Sequence, residues 1–203
     1  MIYRFYAAVL AAVLLLPSVT GAADRYALDP RHASFIFSVS HNGFSYTFGM
    51  FKQASGLYEI DPQDPSKNHF RIVIKTDSLD TNDPERDKHL RSGDFFNVQQ
   101  FPEIVFDSTS CTQVKTEDGG VVYQVSGMLS MHGIQRPITI NLRQLGSGKG
   151  PYGDMRTGFM CSMELKRSDF NMTGLLDKGL VGDAVGITIS FEGIQQAGAA
   201  GAR

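Results

Sequence analysis

The sequence predicts an all-β fold: one antiparallel barrel of about eight strands with a short helix between strands. Three observations carry this reading. Apolar and polar residues alternate with period two along most of the chain, as in the runs built on Phe70, Ile72 and Ile74 and on Val185, Ile187 and Ile189. Turns rich in Gly, Pro and Asp separate the runs at hairpin spacing. Only one stretch, residues 82–96, carries helix signals. A sandwich meets the same strand count. Long strands with one apolar and one polar face, in consecutive antiparallel order, favour a closed barrel. Eight strands enclose an interior that side chains fill, or that holds one elongated ligand.

The first residues read as an address. Arg4 is a short positive region, Phe5 to Leu16 is an apolar run, and Pro17 breaks it. Thr20-Gly21-Ala22-Ala23 supplies small residues for cleavage after Ala23. This is the pattern of a secretory signal peptide over residues 1–23, which implies an exported protein. The apolar run is about twelve residues, short of the ~20 that a membrane span needs, so no stable membrane insertion is expected. The barrel is assigned to residues 24–196, and the small, polar residues 197–203 to a disordered tail. That length suffices for one domain with a sizeable core. The chain has 19 basic and 21 acidic residues with no basic run or face, which points away from nucleic acid.

The first strand alternates Phe35, Phe37 and Val39 with Ile36, Ser38 and Ser40. Phe44 to Phe51 and Leu57 to Ile60 continue as strand, with a kink near Gly49 or Gly56 where a sheet can bend. Asp61 to Lys67 is a turn, and Phe70 to Lys75 a third strand.

The helix follows, over about residues 84–92. Asp83 suits the N-cap, Pro84 the first helical position, and Glu85 the positive end of the dipole. Gly93 supplies a stop. Asp87 and Arg91 stand four apart and can pair, which stabilises by only ~0.2–0.5 kcal/mol. Helices this short are marginal alone. Leu90, Phe95 and Phe96 are therefore expected to anchor it as a plug or lid.

Beyond Pro102 the alternation is regular. Strands are expected at Ile104 to Val114, at Val121 to Leu129 after a Thr116–Gly120 hairpin turn, and at Ile138 to Leu142 after a turn over His132 to Pro137. Gly146 to Gly153 reads as a flexible loop, Met155 to Arg167 as a long strand, and Val185 to Phe191 as the last strand. Cys161 falls in the apolar phase of its strand, with Phe159, Met163 and Leu165. Cys111 is out of phase with Ile104 and Phe106 unless a bulge intervenes. Two separate buried thiols are expected rather than a disulfide.

Catalytic and metal signals are thin. None of the five histidines has zinc-ligand spacing, and no Cys-x-x-Cys, Gly-x-Ser-x-Gly or P-loop occurs. The residues assign no catalytic group, metal or cofactor. Fourteen Phe and eight Met, many in the inward phase, suit an adaptable apolar wall. An ordinary packed core fits them equally well. If the interior is a cavity, a lipid tail suffices for affinity. One isoprene unit gains roughly 3–4 kcal/mol at about 0.8 kcal/mol per CH₂. Three units would cover the ~8 kcal/mol of a micromolar site.

Several blocks then come together: Tyr26-x-Leu28-Asp29-Pro30-x-His32, Val39-x-His41, Gly49-x-Phe51, Phe101-Pro102-x-Ile104-x-Phe106, Gly127-x-Leu129-x-x-His132-Gly133 and Arg167-x-Asp169-Phe170. The longest is Arg86-Asp87-x-His89-Leu90-Arg91-Ser92-x-Asp94-Phe95-Phe96. Together they resemble the YceI-like family, the periplasmic polyisoprenoid-binding proteins, over about residues 26–194. The resemblance implies a lipocalin-like barrel with a cavity for a polyisoprenoid or other long-chain lipid, such as a polyprenyl phosphate or a quinone, and no catalysis. It also admits a homodimer, for which no surface stripe argues. Asn171 stands where the family often has Gly. On this reading Phe35, Phe37, Val39, Phe51, Phe95, Phe106, Phe159 and Met163 contact the lipid tail. His41, Arg86, Asp87 and His89, with Asp94, are candidates for a polar mouth. An enzyme acting on such a lipid, and a filled-core barrel that binds a partner, are the alternatives.

Overall fold

The structure is a computed structural model, and it describes residues 23–117 and 119–197. Residues 1–22, on which the signal-peptide reading falls, and residues 198–203 of the tail lie outside it.

The alternating runs form ten strand segments: β1 (Asp24–His41), β2 (Ser45–Phe51), β3 (Ala54–Ile60), β4 (His69–Lys75), β5 (Leu79–Asp80), β6 (Glu103–Lys115), β7 (Val121–Met131), β8 (Ile134–Lys149), β9 (Met155–Lys166) and β10 (Val181–Gln195). One helix, α1 (Pro84–Arg91), lies between β5 and β6. The first and last strands pair antiparallel, from Tyr26 opposite Gln195 to His41 opposite Val181, and this closes the sheet. Closure leaves no free edge between them.

Eight positions make up the ring, because two strands are broken. β2 pairs with Phe35–His41 of β1, and β3 pairs with Asp24–Ala27 on the same edge. They are one long strand interrupted at Lys52 and Gln53. Beside them, β4 pairs with β3, and its continuation β5 pairs with β2. The expected eight-stranded antiparallel barrel with one short helix is the fold observed.

Gly49 sits opposite Phe37 in the β1–β2 ladder. A Cβ there would lie 2.3 Å from the Phe37 ring, so glycine is required by this close approach rather than by a bend. The turn between β7 and β8 is only His132-Gly133, both with positive φ, because Met131 already pairs with Ile134. A two-residue loop of this kind matches strand twist. The expected loop at Gly146 starts later: β8 runs to Lys149, with Gly146 opposite Gly158.

The helix begins as expected, with the Asp83 carboxylate accepting from the Glu85 and Arg86 amides. It ends differently. Ser92 is the C-cap in extended conformation, and Gly93 has no left-handed backbone. The Asp87–Arg91 pair does not form. Asp87 is buried and accepts from Thr81 N (2.9 Å) and Thr81 Oγ1 (2.6 Å). Arg91 donates to the carbonyls of Asp77 and Leu79. These bonds tie the helix to β5 and the turn before it.

Both cysteines are free and buried. A register shift between Ser108 and Ser110 in the β6–β7 ladder turns Cys111 inward, opposite Val125. The bulge that the phase of Cys111 demanded is therefore present.

Candidate functional site

The strand registers place two different interiors at the two ends of the barrel. At one end, β1, β3, β4, β7, β9 and β10 bring Tyr26, Tyr58, Phe70, Tyr123, Phe159 and Phe191 together. Tyr58 stacks between Tyr26 (centroids 5.2 Å) and Phe70 (5.6 Å). Phe159 meets Tyr58, Phe70, Tyr123 and Phe191 within 6.2 Å. All six rings are buried, and Tyr58 donates its hydroxyl to the Thr157 carbonyl at 3.2 Å. Burial pushes the Tyr58 phenol well above its ordinary pKa. This end is a solid aromatic floor.

Above it, toward α1, the interior opens into a cavity of about 180 Å³. Of its 28 lining residues, Arg167 alone is charged; the others are aliphatic, aromatic, Met or the Cys161 thiol. The wall comes from alternate positions of the strands: Phe35, Phe37 and Val39 on β1; Ile138, Ile140 and Leu142 on β8; Cys161, Met163 and Leu165 on β9; and Val185, Ile187 and Ile189 on β10. Leu90 of α1 and the following Phe95 and Phe96 line the opposite end from the floor. Phe96 packs edge-on against Phe51 (5.5 Å, 89°), and Phe51 against Phe37 (5.6 Å). The helix segment therefore covers the cavity as the expected lid, held by aromatic contacts.

Seven of the expected tail contacts line this cavity together: Phe35, Phe37, Val39, Phe51, Phe95, Phe106 and Met163. Phe159 does not. It is fully buried in the floor, one layer behind Phe70 and Phe191, because the aromatic stack fills that end completely.

None of the expected mouth residues lines the cavity. His41 is exposed at the end of β1. Arg86 donates from Nε to Thr81 Oγ1 (2.8 Å) and from Nη2 to the Thr81 carbonyl (2.7 Å). With Asp87 on the same threonine, the pair is a knot that fixes the helix entrance. His89 contacts Asp94 (2.9 Å) and the edge of Phe95 (5.1 Å) at the surface. Among the described residues no group of three His, Cys, Asp or Glu could hold a metal ion. No described helix is long and apolar enough to cross a membrane.

The polar residue that does reach the cavity is Arg167, just beyond β9. A signal existed in the sequence: Phe159, Cys161, Met163, Leu165 and Arg167 share one phase, so the arginine continues the inward face. Its guanidinium stands over the Phe95 ring at 5.9 Å. The strand ends there in a short turn closed by Asn171, whose φ is +57°. Asparagine is among the few residues other than glycine that accept this conformation. This accounts for the Asn at a position where glycine was the expectation.

The whole arrangement has counterparts. The YceI-like domain family matches residues 26–193. The UPF0312 protein plu2095 of Photorhabdus laumondii is 39% identical over 188 residues, covering 92% of this chain and 94% of that protein. Protein YceI of Salmonella arizonae is 38% identical over 187 residues, covering 91% and 94%. Among solved structures, Burkholderia cenocepacia BcnA shares the fold with a TM-score of 0.72 at 21% identity, covering 81% of this chain and 98% of that one. A polyisoprenoid binding domain from Saccharophagus degradans has a TM-score of 0.64 at 15% identity, covering 84% and 98%. With a family match over residues 26–193 and relatives 38–39% identical over 91–92% of the chain, the chain belongs to the YceI-like family.

Proposed function

We propose that this protein is an exported binding protein that holds the tail of a long isoprenoid lipid in its barrel cavity, for carriage or storage. The observation that carries the reading is the lining: 27 of 28 residues offer no charge and no strong hydrogen-bonding group. Such a wall selects hydrocarbon, since any polar group placed against it is desolvated without compensation. The shared fold with the S. degradans polyisoprenoid binding domain supports the same ligand class. The signal-peptide pattern of residues 1–23 supports export to the periplasm.

Volume adds a condition. An apolar cavity of about 150 Å³ holds a single benzene ring, so 180 Å³ takes only a short part of a polyprenyl chain. A bound chain must therefore widen the interior. Met131, Met163 and Met172 in the wall suit this, because an unbranched thioether can repack at low cost.

Native mass spectrometry on protein purified without detergent from the exported fraction, followed by denaturing extraction, tests the reading. A co-purifying species with isoprenoid mass spacing is expected. A clean apo mass that takes up no added prenyl lipid would overturn it.

A further inference from the structure

Arg167 is 5% exposed and is the one charged residue lining the cavity. Its Nε donates to the Gly182 carbonyl (2.7 Å), Nη1 to Met172 (2.6 Å) and Gly174 (2.8 Å), and Nη2 to Val181 (2.9 Å). A guanidinium has five N–H groups, and the second hydrogen of Nη2 has no acceptor among the described residues. Nor does Arg167 form an ion pair with a described carboxylate. Asp183 is the acid whose charge reaches it, but the Asp183 oxygens accept from Ser168 N (2.9 Å) and Ser168 Oγ (2.8 Å). The buried positive charge is thus held by carbonyl dipoles and the Phe95 ring, with Asp183 acting on it without a direct ion pair.

This balance is unusual in energetic terms. Burial of an ion is costly unless it is paired, and an arginine whose only task is to bridge carbonyls could be replaced by neutral donors at lower cost. Desolvation pulls the proton affinity of Arg167 down, and the Asp183 charge acts against it. Since no described carboxylate pairs with the guanidinium directly, an acidic group in contact with it would offset the cost of its burial. Arginine is also the side chain best suited to bind a phosphate or carboxylate through a charge-assisted hydrogen bond. Arg167 stands at the end of β9, where β9 leads into the connection to β10, so it lies on the lid side of the cavity and away from the aromatic floor.

We propose that Arg167 is the head-group site: the lipid held in the cavity ends in an acid, a phosphate or a carboxylate, which seats against this guanidinium. This rests on the lipid-binding reading and narrows it, since a neutral alcohol or quinone would leave the charge without a direct counter-ion. The four carbonyl bonds then serve to aim the guanidinium, and the Phe95 face limits its movement.

The test is a matched ligand series on the full barrel: geranylgeranyl phosphate, geranylgeranoic acid and geranylgeraniol, measured by calorimetry at two salt concentrations. The native protein is expected to bind at least one of the two acids tenfold or more tighter than the alcohol. The acid that does so identifies the head-group class. In Arg167→Met the acid-to-alcohol ratio should fall to within twofold, and Arg167→Lys should retain part of it. Equal affinity of the native protein for all three ligands would overturn this proposal while leaving the lipid reading intact. No binding of any of the three would overturn both. A ratio unchanged in Arg167→Met would reduce Arg167 to a clasp on the β9–β10 connection. Should that variant fail to fold, the native series and Arg167→Lys decide the question.

Discussion

Tyr58 and Phe159 meet edge to face across the barrel interior, with centroids 5.7 Å apart, planes 83° apart, and neither side chain exposed. One comes from β3 and the other from β9, so the contact ties together strands that are not neighbours in the sheet. Phe159→Ala removes the ring shared by Tyr58, Phe70, Tyr123 and Phe191. The expected cost is about 3–5 kcal/mol. At ~2–4 °C per kcal/mol for a domain of this size, the midpoint should fall on the order of 10 °C in thermal unfolding.

Gly193→Ala probes the same floor from the backbone. Its Cβ would lie 2.0 Å from the Tyr58 hydroxyl, which is held by its bond to Thr157. Overpacking of this kind costs about 1–3 kcal/mol. An unchanged unfolding midpoint would show that the floor is looser than the packing indicates.

The cavity can be filled without touching the floor. Ile187 lines it from β10 and is only half-buried. Ile187→Trp should fold with a cooperative transition and lose capture of prenyl lipid by tenfold or more, as read by co-purified lipid per mole of protein. Phe37→Asp and Phe106→Asp put a charge into the same wall and should abolish capture. If Ile187→Trp folds and retains its lipid, the lipid lies elsewhere.

How far the sequence could be read depended on whether alternation was unbroken. β7, β9 and β10 keep strict phase, so their inward residues were legible one by one, down to Met163 and Ile187. Where phase breaks, legibility fails. The polar run Asp29-Pro30-Arg31-His32 hides the first third of β1, because the pairing with β10 shifts between Leu28 and Ala33. The bulge at Ser108–Ser110 hides the inward turn of Cys111. The division of the barrel into filled and hollow ends was not legible at all. Phe159 and Phe35 have the same type, phase and burial; only the stacking partners brought by β3 and β7 separate floor from wall. The expected mouth residues stand outside the cavity lining for a different reason. Polar residues beside a helix suggested a head-group site, but Thr81 satisfies Arg86 and Asp87 locally.

The Thr81 knot therefore predicts stability rather than ligand choice. Asp87→Ala leaves the buried Thr81 amide and hydroxyl without their acceptor, and each unsatisfied group costs about 1–3 kcal/mol. The unfolding midpoint should drop by several degrees. The preference among lipid head groups should not change, and a changed preference would return Asp87 to the site.

At the floor end, Asp29 is buried and bonded to His32 (2.9 Å), to Arg156 (2.8 Å) and to the Arg31 amide (3.0 Å). The His32 contact, with Arg156 and the amide, outweighs burial and holds its carboxyl down at about 2. A carboxyl depressed on folding contributes stability above its unfolded pKa of about 3.9. That contribution is lost as pH falls toward 2. Urea midpoints of the native protein should therefore decline between pH 4 and 2. Asp29→Asn should start lower and show a shallower decline across that window. Parallel declines would assign the acid sensitivity to other carboxylates.

The two thiols separate the cavity from the rest of the core. Both are free and buried, and burial raises both, Cys161 to about 11. At pH 8 that leaves about one thiolate in a thousand at Cys161, so a large polar thiol reagent that cannot enter the cavity should react with neither cysteine in the native barrel and with both in denaturant. Cys161 lines the cavity whereas Cys111 does not. A small apolar maleimide that enters the cavity should therefore label Cys161 slowly and Cys111 not at all, as mapped by peptide mass. Bound lipid occupies the same space, so adding a prenyl ligand should slow Cys161 labelling further in proportion to its occupancy. Protection that is absent at saturating ligand would mean that binding and cavity are different places. Protection of both cysteines alike would mean that the ligand only tightens the barrel as a whole.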